Sequence, residues 1–250
     1  MSSGARKLAH KQSRRDSPSQ ATTTPASLRC RVLLEYALID YVPYNRASPS
    51  VDRLLLDELT HRVNNELASA IGIVTAAAAG SSATEVKVAL SRVRERLESW
   101  AREQLALQMP DYDTVIDASL YLRQLCQALM ASQLSWQGLE LTMDAPPLQL
   151  HSVQCWRMGL IVAELVTNSA RHAFCGNGGT IRVELASWEA AVKCCVEDNG
   201  SAPEDVRPGR GLRIVAALSE KLGGSVDHRF GPQGTRSTLT FPLVEQHPPR

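Results

Sequence analysis

The sequence predicts an α+β protein: an N-terminal helical hairpin followed by an α/β sandwich. Two observations carry this. Between Val51 and about residue 109, apolar residues recur at three- and four-residue steps, the period of an amphipathic helix, with one break at GSS (80–82). From about Asp111 onward, short alternating apolar–polar runs rich in β-branched residues interleave with helical patterns, which is the grammar of a layered sheet-and-helix domain.

Length and charge bound the function. The chain has 250 residues, enough for two modest domains, with 44% hydrophobic and 21% charged residues. Formal net charge is +1, so no bulk electrostatic case exists for nucleic acid or membrane binding. The first twenty residues carry +4 and the rest −3. Residues 1–27, rich in Ser, Thr, Lys and Arg, read as a disordered basic tail. Residues 28–50 read as a short packing segment. No apolar stretch is long enough to span a bilayer, and the basic start leads into polar residues rather than a secretory core. Six cysteines occur without C-x-x-C or zinc spacing, which fits reduced thiols in a cytoplasmic protein.

The first predicted helix spans Val51 to about Gly80, with a seam of Leu56, Leu59, Val63, Leu67, Ala70, Val74 and Ala77. Ser82-x-x-Glu85 reads as a capping box for the second helix. That helix carries Val86, Leu90, Val93, Leu97, Trp100, Leu105 and Leu107 and ends before Pro110. A lone hairpin cannot bury both stripes, so dimerisation into a four-helix bundle is expected. The following elements are a strand (TVID), a helix over 117–132, a strand (LELTMD) and a long helix over about 151–174. Strands TIRVELA and AVKCCVED follow, then a glycine-bearing loop, a helix over about 211–222, and strands SVDHRF and TRSTLTFP. The expected sheet is mostly antiparallel with helices on one face. The domain boundaries are 51–109 for the hairpin and 110–245 for the sandwich.

Three places could carry chemistry. Glu164, Asn168 and His172 are spaced i, i+4, i+8 and share one face of the long helix. A carboxylate and an amide one turn apart suit a magnesium–phosphate site, because Mg²⁺ prefers oxygen donors and Glu can orient water or accept a proton. The same pattern also describes a solvated polar stripe. Asp198-Asn199-Gly200 ends an alternating strand, where the carboxylate can accept from a purine amine while Gly200 allows close backbone approach; it is also a common turn string. Gly209 and Gly211 precede a helix, an arrangement that exposes backbone N–H groups to phosphate or serves as a plain flexible loop.

In this order, followed by Gly234-Thr235 entering a strand, the elements resemble the histidine-kinase branch of the superfamily that includes DNA gyrase and mismatch-repair ATPases. The resemblance covers about residues 53–242 and implies a Bergerat-type ATP-binding domain. ELVTNSARHAF (164–174) looks like the family's N-box. By that match Asn168 would chelate Mg²⁺, Glu164 would be the general base or water-orienting acid, and Arg171 or His172 would contact phosphate. Asp198 and Gly200 look like the first glycine box, with Asp198 reading the adenine amine. Gly209, Gly211 and Leu212 resemble the second, beside the phosphates, and Gly234 and Thr235 the closing motif near adenine. The chain departs from the pattern at Ser201-Ala202, where a second glycine is usual, and in a short loop from Gly200 to Gly209.

LLLDELTHRVNNELA (54–68) is similar to the H-box of the HWE-like subgroup, which makes His61 the implied phosphoacceptor. At about 100° per residue, His61 lies roughly 160° from the centre of the apolar seam and should be exposed. Asp57, Glu58, Asn64 and Asn65 flank it. The resemblance implies an ATP- and Mg²⁺-dependent protein-histidine kinase that forms a homodimer and passes phosphate to the aspartate of a response-regulator receiver domain. A separate sensory partner would supply the input. Two other readings stand beside it: a dimeric histidine phosphotransferase of the same architecture that relays phosphate without using ATP, and, more distantly, a switch kinase acting on serine, which the long helical hairpin with an outward His disfavours.

Overall fold

The computed structural model describes residues 51–110, 114–203 and 208–243, with side chains from Glu58 onward. The expectations for residues 1–50 lie outside the described residues, as do the side chains of Leu56 and Asp57.

Helix α1 (Val51–Gly80) and helix α2 (Thr84–Ala106) pack against each other as the expected hairpin. Leu67 is buried in the seam, with Val63, Ala70 and Val74 half-buried. Leu59, Val86 and Val93 remain 46–47% exposed, so the single chain leaves much of both stripes uncovered. The capping box is not formed. Ala83, in extended conformation, is the N-cap of α2 and supplies no side-chain bond. The helix starts one residue later than Ser82-x-x-Glu85 requires, and Ser81 Oγ takes the Ala83 N–H at 3.3 Å instead.

Strand β1 (Val115–Asp117) leads into helix α3 (Ala118–Leu129). Asp117 is the N-cap, accepting the N–H groups of Ser119 and Leu120 at 2.9 and 3.1 Å. The helix expected over 117–132 ends its α-geometry earlier. It widens into a π-turn (Met130–Leu134), then tightens into a 3₁₀ turn (Ser135–Gln137) closed by left-handed Gly138. Ser135 Oγ reaches back five residues to the Met130 carbonyl at 2.7 Å, consistent with the wider turn.

Strands β2 (Leu139–Asp144), β4 (Gly179–Trp188), β5 (Ala191–Asp198), β7 (Gly234–Pro242) and β6 (Ser225–Gly231) form one sheet in that order. β2 pairs parallel with β4, and the other pairings are antiparallel. The small strand β3 (Gln149–His151), which periodicity did not mark, pairs antiparallel with β1. Three residues are too few for a period-two signal, and the pairing partner lies over thirty residues upstream. Helix α4 (Ser152–His172) and helix α5 (Arg210–Lys221) cover the same face of the sheet as α3.

Alternation along the strands fixes that face. Ile181, Val183 and Leu185, then Val192, Cys194 and Val196, then Leu239 and Phe241 point into the core. Their neighbours, such as Arg182, Lys193 and Arg236, point to solvent. Cys194 is accordingly buried, and burial pushes its thiol well above the usual range, while Cys195 faces the other way.

The hairpin is bolted to the sandwich through the end of α2. Leu107 is 1% exposed, and its carbonyl accepts from Trp156 Nε1 at 2.9 Å. The Ala106 carbonyl accepts from Tyr121 Oη at 3.1 Å. Arg96 stands 4.7 Å over the Trp136 ring, joining α2 to the 3₁₀ turn. No helix among the described residues is long and apolar enough to cross a membrane.

Candidate functional site

The C-terminal half of α4 forms one wall of a cleft of about 500 Å³, a volume suited to a nucleotide-sized ligand. Asn168 and His172 line it from α4, Gly209, Gly211 and Leu212 from the loop and start of α5, and Thr235 from β7. Six of the residues named from the sequence thus converge on one space. The core-facing stripe of α4 (Leu160, Ile161, Val162 and Leu165 among others) fixes its rotation, which turns Asn168 and His172 outward into the cleft.

Asp198 lies beneath the lining and is 3% exposed. Its Oδ2 accepts from Ser169 Oγ at 2.7 Å. Its Oδ1 accepts the N–H groups of Gly200 at 3.1 Å and Thr235 at 3.2 Å. One carboxylate therefore ties together α4, the turn after β5 and the start of β7, and these bonds offset the cost of burying it.

The glycines frame the site by absence of a side chain. A Cβ on Gly234, which has φ +122, would collide with the Asp198 carbonyl. A Cβ on Gly200 would strike the Ala173 carbonyl, and one on Gly211 the Glu164 carboxylate. Gly209 is different, with open space around it.

Glu164 does not line the cleft directly. It is 9% exposed and sits against Gly211, where Asn168 Nδ2 also comes within 3.4 Å of the Cβ position. Amide and carboxylate thus converge on the start of α5, as the shared-face reading requires. A carboxylate and a side-chain amide, whose oxygen is a hard donor, beside a glycine at a helix N-terminus are groups that could hold Mg²⁺ together with phosphate oxygens. Arg171 is exposed and lies outside the cleft lining, because it is turned about 100° from His172 on the same helix.

Several lining residues carried no signal in sequence. Ser169, Val196 and Ser237 are core-facing positions, and Phe230 is the last residue but one of β6. Phe230 stacks on His228 with centroids 5.7 Å apart, and His228 Nδ1 lies 2.8 Å from Ser237 Oγ. Burial holds the His228 imidazole below its ordinary value of 6.5. The period-two alternation of β6 places both rings inward and could have pointed to them. Where the second glycine is missing, Ser201 N–H donates to the Ala173 carbonyl at 2.8 Å and Ala202 N–H to the Gly231 carbonyl at 2.9 Å.

His61 is exposed on α1, as its angle to the seam predicts. It is not among the residues lining the cleft. Glu58, one turn earlier, is engaged by Arg62 at 3.3 Å in an exposed pair.

An apolar-floored, glycine-framed cleft on a mixed sheet, attached to a helical hairpin, defines a nucleotide-binding domain with a helical appendage. The comparisons with known proteins agree. Residues 156–245 match the family described as histidine kinase-, DNA gyrase B- and HSP90-like ATPases, and residues 58–133 match a histidine kinase family. By these two matches, in this order along the chain, the protein is similar to the histidine kinases. Blue-light-activated histidine kinase 2 of Erythrobacter litoralis is 28% identical over 203 residues, covering 76% of this chain and 58% of that protein. The chain therefore spans less than two thirds of that relative's length. Among solved structures, the histidine kinase domain of an Erythrobacter litoralis blue-light-activated histidine kinase aligns with TM-score 0.50 and 24% identity, covering 76% of this chain and 94% of that one. A bacterial phosphotransferase aligns with TM-score 0.52 and 13% identity, covering 79% and 99%. At these identities the two structures speak to fold.

Proposed function

We propose that the protein is an ATP-dependent protein-histidine kinase that phosphorylates His61 and passes the phosphoryl group to an aspartate of a response-regulator receiver domain. The observation that carries this is the cleft lined by Asn168, Gly211 and Thr235, with Glu164 packed against Gly211 and Asp198 bonded to Thr235 behind that lining, in a chain whose hairpin presents His61 to solvent.

Val196 and Phe230 would hold the base of ATP, and the Asp198 carboxylate would accept from its amine. Gly209, Gly211 and the N–H groups that open α5 would hold the phosphates. Mg²⁺, held by the Asn168 side-chain oxygen with Glu164 beside it, would neutralise phosphate charge. A nitrogen of the neutral His61 imidazole attacks the γ-phosphorus in line. An N–P bond forms, the bond from the γ-phosphorus to the bridging oxygen breaks, and ADP leaves with that electron pair. The proton on the other ring nitrogen passes to a carboxylate or water. His61 meets the cleft of its own chain or of a second copy, and the uncovered stripes of α1 and α2 support pairing of two hairpins into a four-helix bundle. The hairpin covers 51–109 and the ATP-binding domain 110–245.

Incubation with γ-labelled ATP and magnesium tests this. The label should be acid-labile and alkali-stable, absent in His61→Gln and in Asn168→Ala, and transferable to a receiver domain. Label surviving in His61→Gln removes the site assignment. A relay that has lost ATP use is the second reading, favoured by the missing second glycine at Ser201-Ala202. It would instead show uptake from a phosphorylated receiver and no labelling from ATP.

A further inference from the structure

A buried polar chain runs from the hairpin to the nucleotide-binding helix without lining the cleft. Glu103 lies on the face of α2 that also carries Trp100, one turn before the C-cap residue Leu107, and it is 6% exposed. Its Oε2 accepts from Ser132 Oγ at 2.5 Å, and its Oε1 accepts from Gln133 Nε2 at 2.7 Å. The other end of the same amide, Gln133 Oε1, accepts from Thr167 Oγ1 at 3.1 Å. Thr167 is 4% exposed and immediately precedes Asn168. Each bond crosses from one element to another: α2 to the π-turn, then the π-turn to α4.

A leucine at position 103 would fasten α2 to the sandwich without the cost of desolvating a carboxylate. What the carboxylate adds is direction, since it fixes the Gln133 amide in one orientation, and that orientation selects the rotamer of Thr167. The π-turn that presents Ser132 and Gln133 side by side is the sort of irregularity that recurs at functional positions. Glu103 and His61 each stand 21 residues from Ser82 in the hairpin turn, so they lie at about the same level of the two antiparallel helices.

We infer that Glu103, Gln133 and Thr167 form a positioning relay that couples occupancy of the nucleotide cleft to the segment of the hairpin level with His61. The inference rests on the reading of the cleft as an ATP site and of His61 as the acceptor. None of the three residues touches the nucleotide. They set how the Asn168 helix is held against the hairpin, and so the geometry in which transfer occurs rather than the affinity for ATP.

The test uses the full chain, with a non-hydrolysable ATP analogue and magnesium as the probe and hydrogen exchange read at residues 100–107. In the wild type, saturating analogue should slow exchange there by about threefold or more. Thr167→Val, which keeps shape but removes the hydroxyl, should bind the analogue within about threefold of wild type yet lose the response at 100–107. Thr167→Ser should restore it. In parallel, Thr167→Val and Gln133→Leu should lower the rate of His61 labelling at saturating ATP by roughly tenfold with KM for ATP little changed. Wild-type protein that binds the analogue without any change at 100–107 would overturn the relay and leave the ATP site standing. So would a Thr167→Val protein with an unaltered response and rate. Failure of the wild type to bind the analogue at all would instead remove the ATP-site reading, and the relay with it.

Discussion

The Glu164 carboxylate of α4 occupies the space that a side chain at Gly211 would need. Helix propensity alone favours Ala over Gly by about 1 kcal/mol in a helix interior, so an exposed glycine-to-alanine change in α5 would be expected to stabilise. Gly211→Ala should do the reverse, because Glu164 must move and Asn168 with it. Thermal unfolding without nucleotide should show a loss, and titration with a fluorescent ATP analogue an affinity loss of about tenfold or more. Gly209→Ala, with no protein atom close to the added methyl group, should leave thermal unfolding without nucleotide close to wild type.

Asp198 holds three donors from three elements. Asp198→Asn replaces one acceptor oxygen with a donor that faces other donors. Denaturant unfolding should show a loss of about 1–3 kcal/mol, and ATP binding should fall further than stability does, because the amine-reading oxygen is lost as well.

Burial pushes the Glu103 carboxyl above its ordinary value of 4.5, while its bonds from Ser132 and Gln133 pull the other way. The folded state therefore holds its proton more tightly than the unfolded chain. The stability this contributes is fully present below pH 4.5 and is lost as pH rises through the elevated folded value. Glu103→Gln keeps the shape and can still pair with both neighbours, so it should flatten this slope and raise the urea midpoint relative to wild type at neutral pH. Identical pH slopes in the two proteins would contradict the assignment.

His228 titrates in the opposite sense. Its folded imidazole sits below 6.5, so its contribution is present above pH 6.5 and lost as pH falls through the depressed folded value. His228→Gln should remove that acid-side loss in unfolding experiments between about pH 5 and 8. It should also reduce the pH dependence of nucleotide binding, because Ser237, the partner of His228, lines the cleft.

Most of the architecture was legible because it is written in period. The alternation in β4, β5 and β7 and the apolar stripe of α4 each report which side faces the core and agree with the structure, whereas the seam of α1 is buried at Leu67 and exposed at Leu59 and Ala77. The cleft was legible because its glycines and polar residues sit at element ends, where backbone geometry restricts the choice of residue. What escaped depended on tertiary partners. Strand β3 exists only because β1 is there to pair with it. The π-turn follows from side-chain bonds at Ser132 and Ser135 that no spacing announces. The capping box failed because Ser81, not Ser82, is placed to serve the turn. Glu103 did leave a signal: a carboxylate at i+3 from Trp100 and i−4 from Leu107 stands in the middle of an apolar stripe.

The central claim is that phosphate moves from a nucleotide in the Asn168 cleft to the exposed imidazole on the hairpin. Its most direct test is to map the modified residue by electron-transfer fragmentation under alkaline conditions after incubation with Mg²⁺-ATP. The expected result is phosphate on His61, absent when Asn168 is replaced by Ala. Phosphate on His151, His172 or His228, or on a serine, or none at all in a protein that binds ATP, would contradict it.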